Sequence, residues 1–170
     1  PVELPAGAAR VELVDVLEDL RRAVLAAGHV RLLQEDASLS TADLGAAVGL
    51  SATSCWRRVQ RLQDQGVLRG RVALVDPATV GRGLTALVEL QATAHSADWL
   101  EQFTKGIEEF PEIVDAWRTS GQIDYMLRVL VRDINAYDDF YKRMTRRINF
   151  AGFRSIFVME ELKSTTAVPV

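Results

Sequence analysis

The stretch that decides the fold is Ser51–Gly66, SATSCWRRVQRLQDQG, which combines a helical apolar stripe with a dense arginine cluster. Cys55, Val59 and Leu62 recur at spacings of four and three residues, as on one face of a helix. The outward face then holds the candidate nucleic-acid contacts Thr53, Ser54, Arg57, Arg58 and Arg61. Two interpretations follow: a helix that presents arginines to a polyanion, or a cysteine nucleophile tuned by arginines.

The cysteine interpretation is the weaker of the two. Cys55 lies on the same stripe as Val59 and Leu62, which is typical of a small core residue. A catalytic cysteine needs a base, and the only histidines, His29 and His95, lie far away in the sequence. Trp56, at the edge of the stripe, is predicted to pack against the first helix.

The residues before this helix predict a helix-turn-helix. In STADLGAAVGLS, Ser40 or Thr41 is suited to cap a short helix, and Gly49 is suited to end it. A short helix, a turn centred on a glycine and a second helix can place the second helix in a DNA major groove. Residues 67–76, VLRGRVALVD, alternate like a strand pair or wing, from which Arg69 and Arg71 reach phosphates.

The overall charge gives no case for nucleic acid, but its distribution does. The net charge is -3 and the pI is about 5.5, whereas Ala37–Arg71 holds five arginines and two aspartates. A single cysteine excludes an intrachain disulfide framework. No apolar run is long enough to span a bilayer, and the acidic start is unlike a signal peptide. The expectation is a soluble cytoplasmic protein without a membrane partner.

The second half predicts strand and helix segments in the order β-α-β-β-α-β, the ferredoxin-like motif. The predicted fold class is α+β, with domains at residues 1–74 and 84–170 and a linker at 75–83, VDPATVGRG. A split βαβ unit leaves one sheet face open. A second copy is the simplest cover, which predicts at least a homodimer.

These motifs together resemble a known family. LSTADLGAAVGLSATSCWRRVQRLQDQGVLRGRVALVDPATVG resembles the DNA-binding half of the Lrp/AsnC (feast/famine) transcriptional regulators. SGQIDYMLRVLV and FVMEELK resemble the two signature stretches of their ligand-sensing half. The resemblance covers about Leu32 to the C-terminus. It implies an N-terminal winged helix-turn-helix, a C-terminal αβ sandwich, double-stranded DNA as partner, dimers that assemble to octamers, an amino-acid effector and no cofactor. Dimer symmetry predicts a palindromic operator.

The resemblance also implies an effector site near the turn that joins the second and third strands. The implied contacts are Ser120, Gly121, Gln122, Asp124, Tyr125 and, from the last strand, Ser155. Backbone amides at Gly121 could approach a carboxylate, and Asp124 could receive an α-ammonium group. The alternative is a plain hairpin turn in which Gly121 supplies a positive φ and Asp124 caps the turn.

Within the family, Trp56 after Cys55, WRTSGQIDYMLRV and the tail STTAVPV look most like the branch that includes cysteine-responsive activators. One departure concerns Gly28 and His29, which fall where the family has an apolar helix interior. The first helix is therefore expected to be broken, shifted or replaced by Val11–Ala27, with His29 partly exposed.

Two alternative functions remain open. A disturbed first helix would leave an amino-acid-binding oligomeric sensor without DNA binding. An enzyme is disfavoured because the carboxylate pairs Asp138–Asp139 and Glu160–Glu161 are adjacent, so that their side chains point apart, and because no metal-ligand spacing is present.

Overall fold

The computed structural model describes residues 26–170 in two compact units. One unit contains the described residues up to Ala73 together with Ser164–Val170, and the other contains Leu74–Lys163. The predicted replacement helix Val11–Ala27 lies, apart from its last two residues, outside the described residues.

The described part of the first unit contains three helices: α1 at residues 26–35, α2 at Thr41–Val48 and α3 at Ala52–Asp64. The Ser40 hydroxyl caps α2 by accepting the Asp43 N–H at 3.1 Å. Gly49 ends α2 at φ 69°, in the left-handed region that glycine adopts without strain. The buried core between the helices is formed by Leu33, Leu44, Cys55 and Val59. The predicted helix-turn-helix is confirmed.

The first helix differs from its prediction. Residues 26–35 form an uninterrupted helix through Gly28, and a Cβ on Gly28 would lie 3.8 Å from Val48 Cγ1, an ordinary contact. His29 is fully buried rather than partly exposed. The reason is its position, four residues before the buried Leu33 and therefore on the same helix face.

Trp56 was predicted to pack against the first helix, but its side chain is 53% exposed. It follows the buried Cys55 by one residue, which rotates it about 100° around the helix axis away from the core.

The predicted strand pair or wing does not form within residues 67–76. A strand needs a hydrogen-bonded neighbour, and no segment of residues 26–170 pairs with this one. Val72 and Leu74 are consequently exposed. In the following segment, Asp76 Oδ1 accepts the Ala78 N–H at 2.9 Å and starts a turn within the predicted linker.

The second unit is a four-stranded antiparallel sheet with two helices. Its elements are β1 at Leu84–Ala92, α4 at Ala97–Glu108, β2 at Ile113–Arg118, β3 at Tyr125–Val131, α5 at Ile134–Arg147 and β4 at Phe150–Phe157. The strand order β2-β3-β1-β4 confirms the predicted βαββαβ arrangement. Its core is formed by alternate residues of β1 and β3 and by helix residues such as Phe103, Phe140 and Met144.

The last strand starts and ends earlier than predicted. The pattern of FRSIFVMEELK predicts a strand over Phe153–Lys163, but the strand spans Phe150–Phe157. Among residues 26–170, β4 pairs with β1 alone, and the ladder runs from Ala92 opposite Phe150 to Ala86 opposite Phe157. Val158 still donates its N–H to Thr85 O. Because β1 begins at Leu84, the residues after Val158 have no strand to pair with in this direction.

The sheet face opposite the buried residues of β1 and β3 is not covered by either helix. Strand alternation places Leu87 and Ile156 opposite each other on this open face, with Trp117 opposite Met126 farther across it. Two cross-strand ion pairs, Glu89 with Arg154 and Asp115 with Arg128, lie among these apolar side chains.

Candidate DNA-binding and effector-binding sites

The outward face of α3 presents the predicted polar residues. Ser51 starts the helix by accepting the Ser54 N–H at 3.3 Å. Thr53, Ser54, Arg57 and Arg61 are exposed, whereas Arg58 is half-buried beside the core stripe. The exposed guanidinium groups of Arg57 and Arg61 are therefore the outermost cations of the helix.

The arginines of this region differ from those of the second unit in their partners. Among residues 26–170, no acidic side chain forms an ion pair with Arg57, Arg58, Arg61, Arg69 or Arg71. In the second unit, by contrast, five arginines each pair with a carboxylate: Arg128, Arg132, Arg143, Arg147 and Arg154. Unpaired guanidinium groups keep their full charge available for phosphate groups.

Arg69 and Arg71 are exposed, as predicted, but on an extended segment rather than on a wing. Gly70 between them has open space where a Cβ would lie.

Cys55 is fully buried among Leu33, Leu44 and Val59. Burial raises the pKa of its thiol, and the nearby Arg58 charge opposes this shift only in part. A buried thiol held in its neutral form is a core residue rather than a nucleophile.

The predicted effector turn is organised by Asp124. Asp124 Oδ2 accepts the Ala92 N–H at 2.8 Å, and the Asp124 N–H donates to Leu90 O at 3.0 Å. The other carboxylate oxygen, Oδ1, lies 3.8 Å from His95 Nε2. One oxygen of Asp124 thus ties the turn to the end of β1, and the other oxygen faces His95.

Exposed residues form the tip of this turn. Gly121 has φ 123°, a value that favours glycine. Ser120 and Gln122 are exposed on either side of it. The Gln122 carbonyl oxygen accepts the Gln91 Nε2–H at 3.0 Å, which fixes the turn to β1 a second time.

The structure does not bring the other two predicted effector residues to the exposed side of this turn. Tyr125 is buried against the helices, with its ring 4.5 Å from the Phe103 ring. Ser155 also faces the helices, where its hydroxyl shares a hydrogen bond with the Tyr137 hydroxyl. Burial raises the pKa of Tyr137, and the Ser155 hydrogen bond opposes the shift.

A cavity of about 280 Å³ lies beside the turn, on the open sheet face. Its lining joins Gln122 of the predicted site to residues that the sequence did not single out: Glu89, Gln91, Ile123, Gly152, Phe153 and Arg154. Glu89 and Arg154 lie opposite each other in register and form an ion pair. A Cβ on Gly152 would come within 2.6 Å of Gln91 Oε1, so a larger residue there would displace the Gln91 side chain. Only the strand register brings these residues together, so no short sequence pattern could have found them.

Comparison with known proteins agrees with both halves of this geometry. A model described as the AsnC-type helix-turn-helix domain matches residues 30–63, and one described as the Lrp/AsnC ligand binding domain matches residues 85–168. The chain belongs to the Lrp/AsnC family. Members of this family with the same two domains are DNA-binding transcriptional regulators, and this chain is one of them.

Relatives across the length of the chain support this assignment to the Lrp/AsnC family. The chain is 42% identical over 156 residues to the DNA-binding transcriptional activator DecR of Escherichia coli K12, covering 91% of this chain and 99% of DecR. An AsnC family transcriptional regulator from Agrobacterium tumefaciens is 48% identical, with a TM-score of 0.82 over 85% of this chain and 95% of that one. A Neisseria meningitidis transcriptional regulator solved as an L-Met complex is 29% identical, with a TM-score of 0.81 over 85% and 94%.

Two further observations concern residues 26–170 of this Lrp/AsnC protein. None of its described helices is both long and apolar enough to cross a membrane. Within the same range, no group of three or more His, Cys, Asp or Glu side chains is placed to hold a metal ion.

Proposed function

We propose that this regulator binds a palindromic operator through the arginines of α3 and that an amino acid bound beside the Gly121 turn controls this binding. The observation that carries the proposal is the contrast in arginine pairing. The cations of the helix-turn-helix region lack carboxylate partners among the described residues, whereas five arginines of the ligand-binding domain have them.

Different positions on α3 are suited to different contacts with DNA. Arg57 and Arg61 are exposed and suited to phosphates or to guanine edges, to which an arginine can donate two hydrogen bonds. Thr53 and Ser54 lie at the N-terminal end of the helix, which enters the major groove first in this motif. A symmetric dimer would then read two half-sites about one helical turn, or a multiple of it, apart.

The cavity beside the turn has the chemistry of an amino-acid site. Arg154 can receive an α-carboxylate, and Glu89 can receive an α-ammonium group. The Asp124 carboxylate at the neighbouring turn, whose Oδ1 lies 3.8 Å from His95 Nε2, adds negative charge beside the cavity. Ile123 offers an apolar wall to a side chain. The volume of about 280 Å³ suits a small ligand. The L-Met complex of the Neisseria relative supports an amino acid as the ligand class.

Assembly completes the proposal. A second copy covers the open sheet face, and dimers assemble to an octamer, so that a ligand held near the interface couples binding to association. The cysteine-responsive branch stays a prediction and makes cysteine the first compound to test. The protein acts on DNA in the cytoplasm and catalyses no reaction. Of the adjacent carboxylates considered for an enzyme, Asp138 forms an ion pair with Lys142 on the surface of α5.

The alternative of a sensor without DNA binding depended on a disturbed first helix. Residues 26–35 form a continuous helix whose Leu33 packs with Leu44 and Cys55, so the support of α3 is present and favours DNA binding.

The DNA-binding half is tested with Arg57→Ala and Arg61→Ala against Arg146→Ala. Arg146 is an exposed arginine of α5, so its substitution removes the same charge from the other domain. Fluorescence anisotropy with DNA from upstream of the protein's own gene measures Kd at several salt concentrations. Each α3 substitution should weaken binding and lower the salt slope by about one for each phosphate that the variant no longer neutralises. Equal binding by all three variants would rule out α3 as the DNA-binding surface.

The effector half is tested by a thermal-shift screen of the twenty amino acids, followed by DNA binding with each hit. A ligand at tenfold over its Kd adds about 1.4 kcal/mol. Asp124→Asn keeps an acceptor for the Ala92 N–H but removes the charge, so it should weaken the response, whereas Asp98→Asn in the exposed first turn of α4 should not. If no amino acid shifts the melting curve, the amino-acid effector is withdrawn and the DNA-binding proposal stands.

A further inference from the structure

The last seven residues, Ser164–Val170, group with the compact unit that contains the helix-turn-helix. The family model of the ligand-binding domain nevertheless runs through residue 168. A segment that belongs by sequence to the ligand-binding domain is therefore part of the DNA-binding unit by its contacts.

The contact is a paired hydrogen bond to a single side chain of α1. Gln34 Oε1 accepts the Val168 N–H at 2.6 Å, and Gln34 Nε2 donates to Val168 O at 3.1 Å. The carboxamide thus satisfies both backbone groups of one residue, as a neighbouring strand does in a sheet. The two residues are 134 positions apart in the chain.

The tail is preorganised for this contact. Thr165 Oγ1 accepts the Ala167 N–H at 3.0 Å, which forms a local turn immediately before Val168. Pro169 restricts the preceding Val168 to extended conformations, and the branched Val168 side chain also favours them. The tail therefore gives up less conformational entropy when it docks.

The position of Gln34 links the tail contact to the core that supports α3. Its neighbour Leu33 belongs to the core with Leu44, Cys55 and Val59, and this core supports the recognition helix α3. A tail that holds α1 therefore also holds the scaffold on which α3 rests.

We propose that Ser164–Val170 is a C-terminal clasp that docks on α1 through Gln34 and stabilises the DNA-binding unit from the C-terminal end of the ligand-binding domain. Its docking does not depend on the proposed function, because it concerns hydrogen bonds within the chain that involve neither of the proposed binding sites. A chain without the clasp keeps both domains but has a looser DNA-binding unit.

The test uses the full chain and hydrogen–deuterium exchange of the α1 peptide and of the C-terminal peptide. Gln34→Met preserves size and helix propensity but removes both hydrogen bonds, and it should raise exchange in both peptides about tenfold. A chain that ends at Lys163 should raise exchange of α1 by a similar factor. Val170→Ala, beyond the contact, is the matched control and should leave exchange unchanged.

The double variant decides between a clasp and two unrelated effects. If Gln34 acts through the tail, Gln34→Met in the shortened chain should add nothing to the exchange of α1. Additive effects, or unchanged α1 exchange in the shortened chain, would overturn the proposal. These readouts need no DNA, so a failure of operator binding leaves them interpretable.

Discussion

Gly45, in the middle of α2, lies where the chain returns most closely to that helix. The Leu50 N–H donates to Gly45 O at 2.8 Å, and a Cβ on Gly45 would lie 2.7 Å from Leu50 O. The obstacle is backbone, which cannot rotate away as a side-chain end can. Gly45→Ala should therefore destabilise the helix-turn-helix by about 1–3 kcal/mol, despite the better helix propensity of alanine. Chemical denaturation monitored by circular dichroism measures this change.

Gly70→Ala is the control for that substitution. Gly70 lies in the same unit, has no positive φ and has open space at the Cβ position. It should be nearly neutral in the same denaturation experiment. Equal stability of the two alanine variants would show that the turn after α2 is less tightly packed than the structure indicates.

At the scale of the element, the N-terminus of α5 depends on a charged cap. Asp133 Oδ1 accepts the Ala136 N–H at 2.9 Å, and Arg132 Nε donates to Asp133 Oδ2 at 2.7 Å. The Ala136 hydrogen bond, followed by that of Arg132, holds the pKa of the Asp133 carboxyl below its ordinary value of 3.8. A carboxyl group whose pKa is lowered by folding stabilises the folded state above its unfolded pKa, and this stabilisation disappears as the pH falls through the folded pKa.

Asp133→Ala should therefore lower the Tm by a few degrees at pH 7, and the difference from the wild-type Tm should shrink as the pH falls below about 4. Ser96→Ala is the comparison, because the Ser96 hydroxyl caps α4 by accepting the Trp99 N–H at 3.2 Å and does not titrate in this range. Its Tm penalty should stay constant in melting curves from pH 3 to pH 7. A constant penalty for Asp133→Ala as well would contradict the charged-cap explanation.

At the scale of the whole molecule, the open sheet face requires a partner. Leu87 and Ile156 lie opposite each other on it, and Ile156 is 43% exposed in the single chain. A charge placed at this apolar position has to be desolvated when a second copy covers the face. Ile156→Glu should therefore shift the assembly toward monomers in sedimentation velocity experiments.

Leu100→Glu provides the control for the assembly experiment. Leu100 lies on α4, outside the open face, and is 39% exposed, so a glutamate there changes the same chemistry at a similar exposure. The sedimentation coefficient of this variant should match that of the wild type. An Ile156→Glu variant that keeps the wild-type size would exclude the open face as the interface.

The sequence alone determined the local elements of this protein and their order. The spacing of Cys55, Val59 and Leu62 predicted the buried stripe of α3, and the order of strands and helices predicted the βαββαβ unit, because helical and strand periods repeat within a few residues. The exposed positions of Arg57 and Arg61 were predicted for the same reason, since an outward position follows directly from the period of the helix, whereas Arg58 is half-buried beside the core stripe.

Only the tertiary structure decided which residues meet across long stretches of chain. The strand register places Glu89 opposite Arg154. The Ser155 hydroxyl contacts Tyr137 of the helix layer and not the predicted effector turn. The C-terminal tail places Val168 next to Gln34 of α1. The same packing buried His29 on the inner face of α1. Periodicity records the direction of a side chain relative to its own element, whereas burial and pairing depend on the surfaces that the rest of the chain brings against that element.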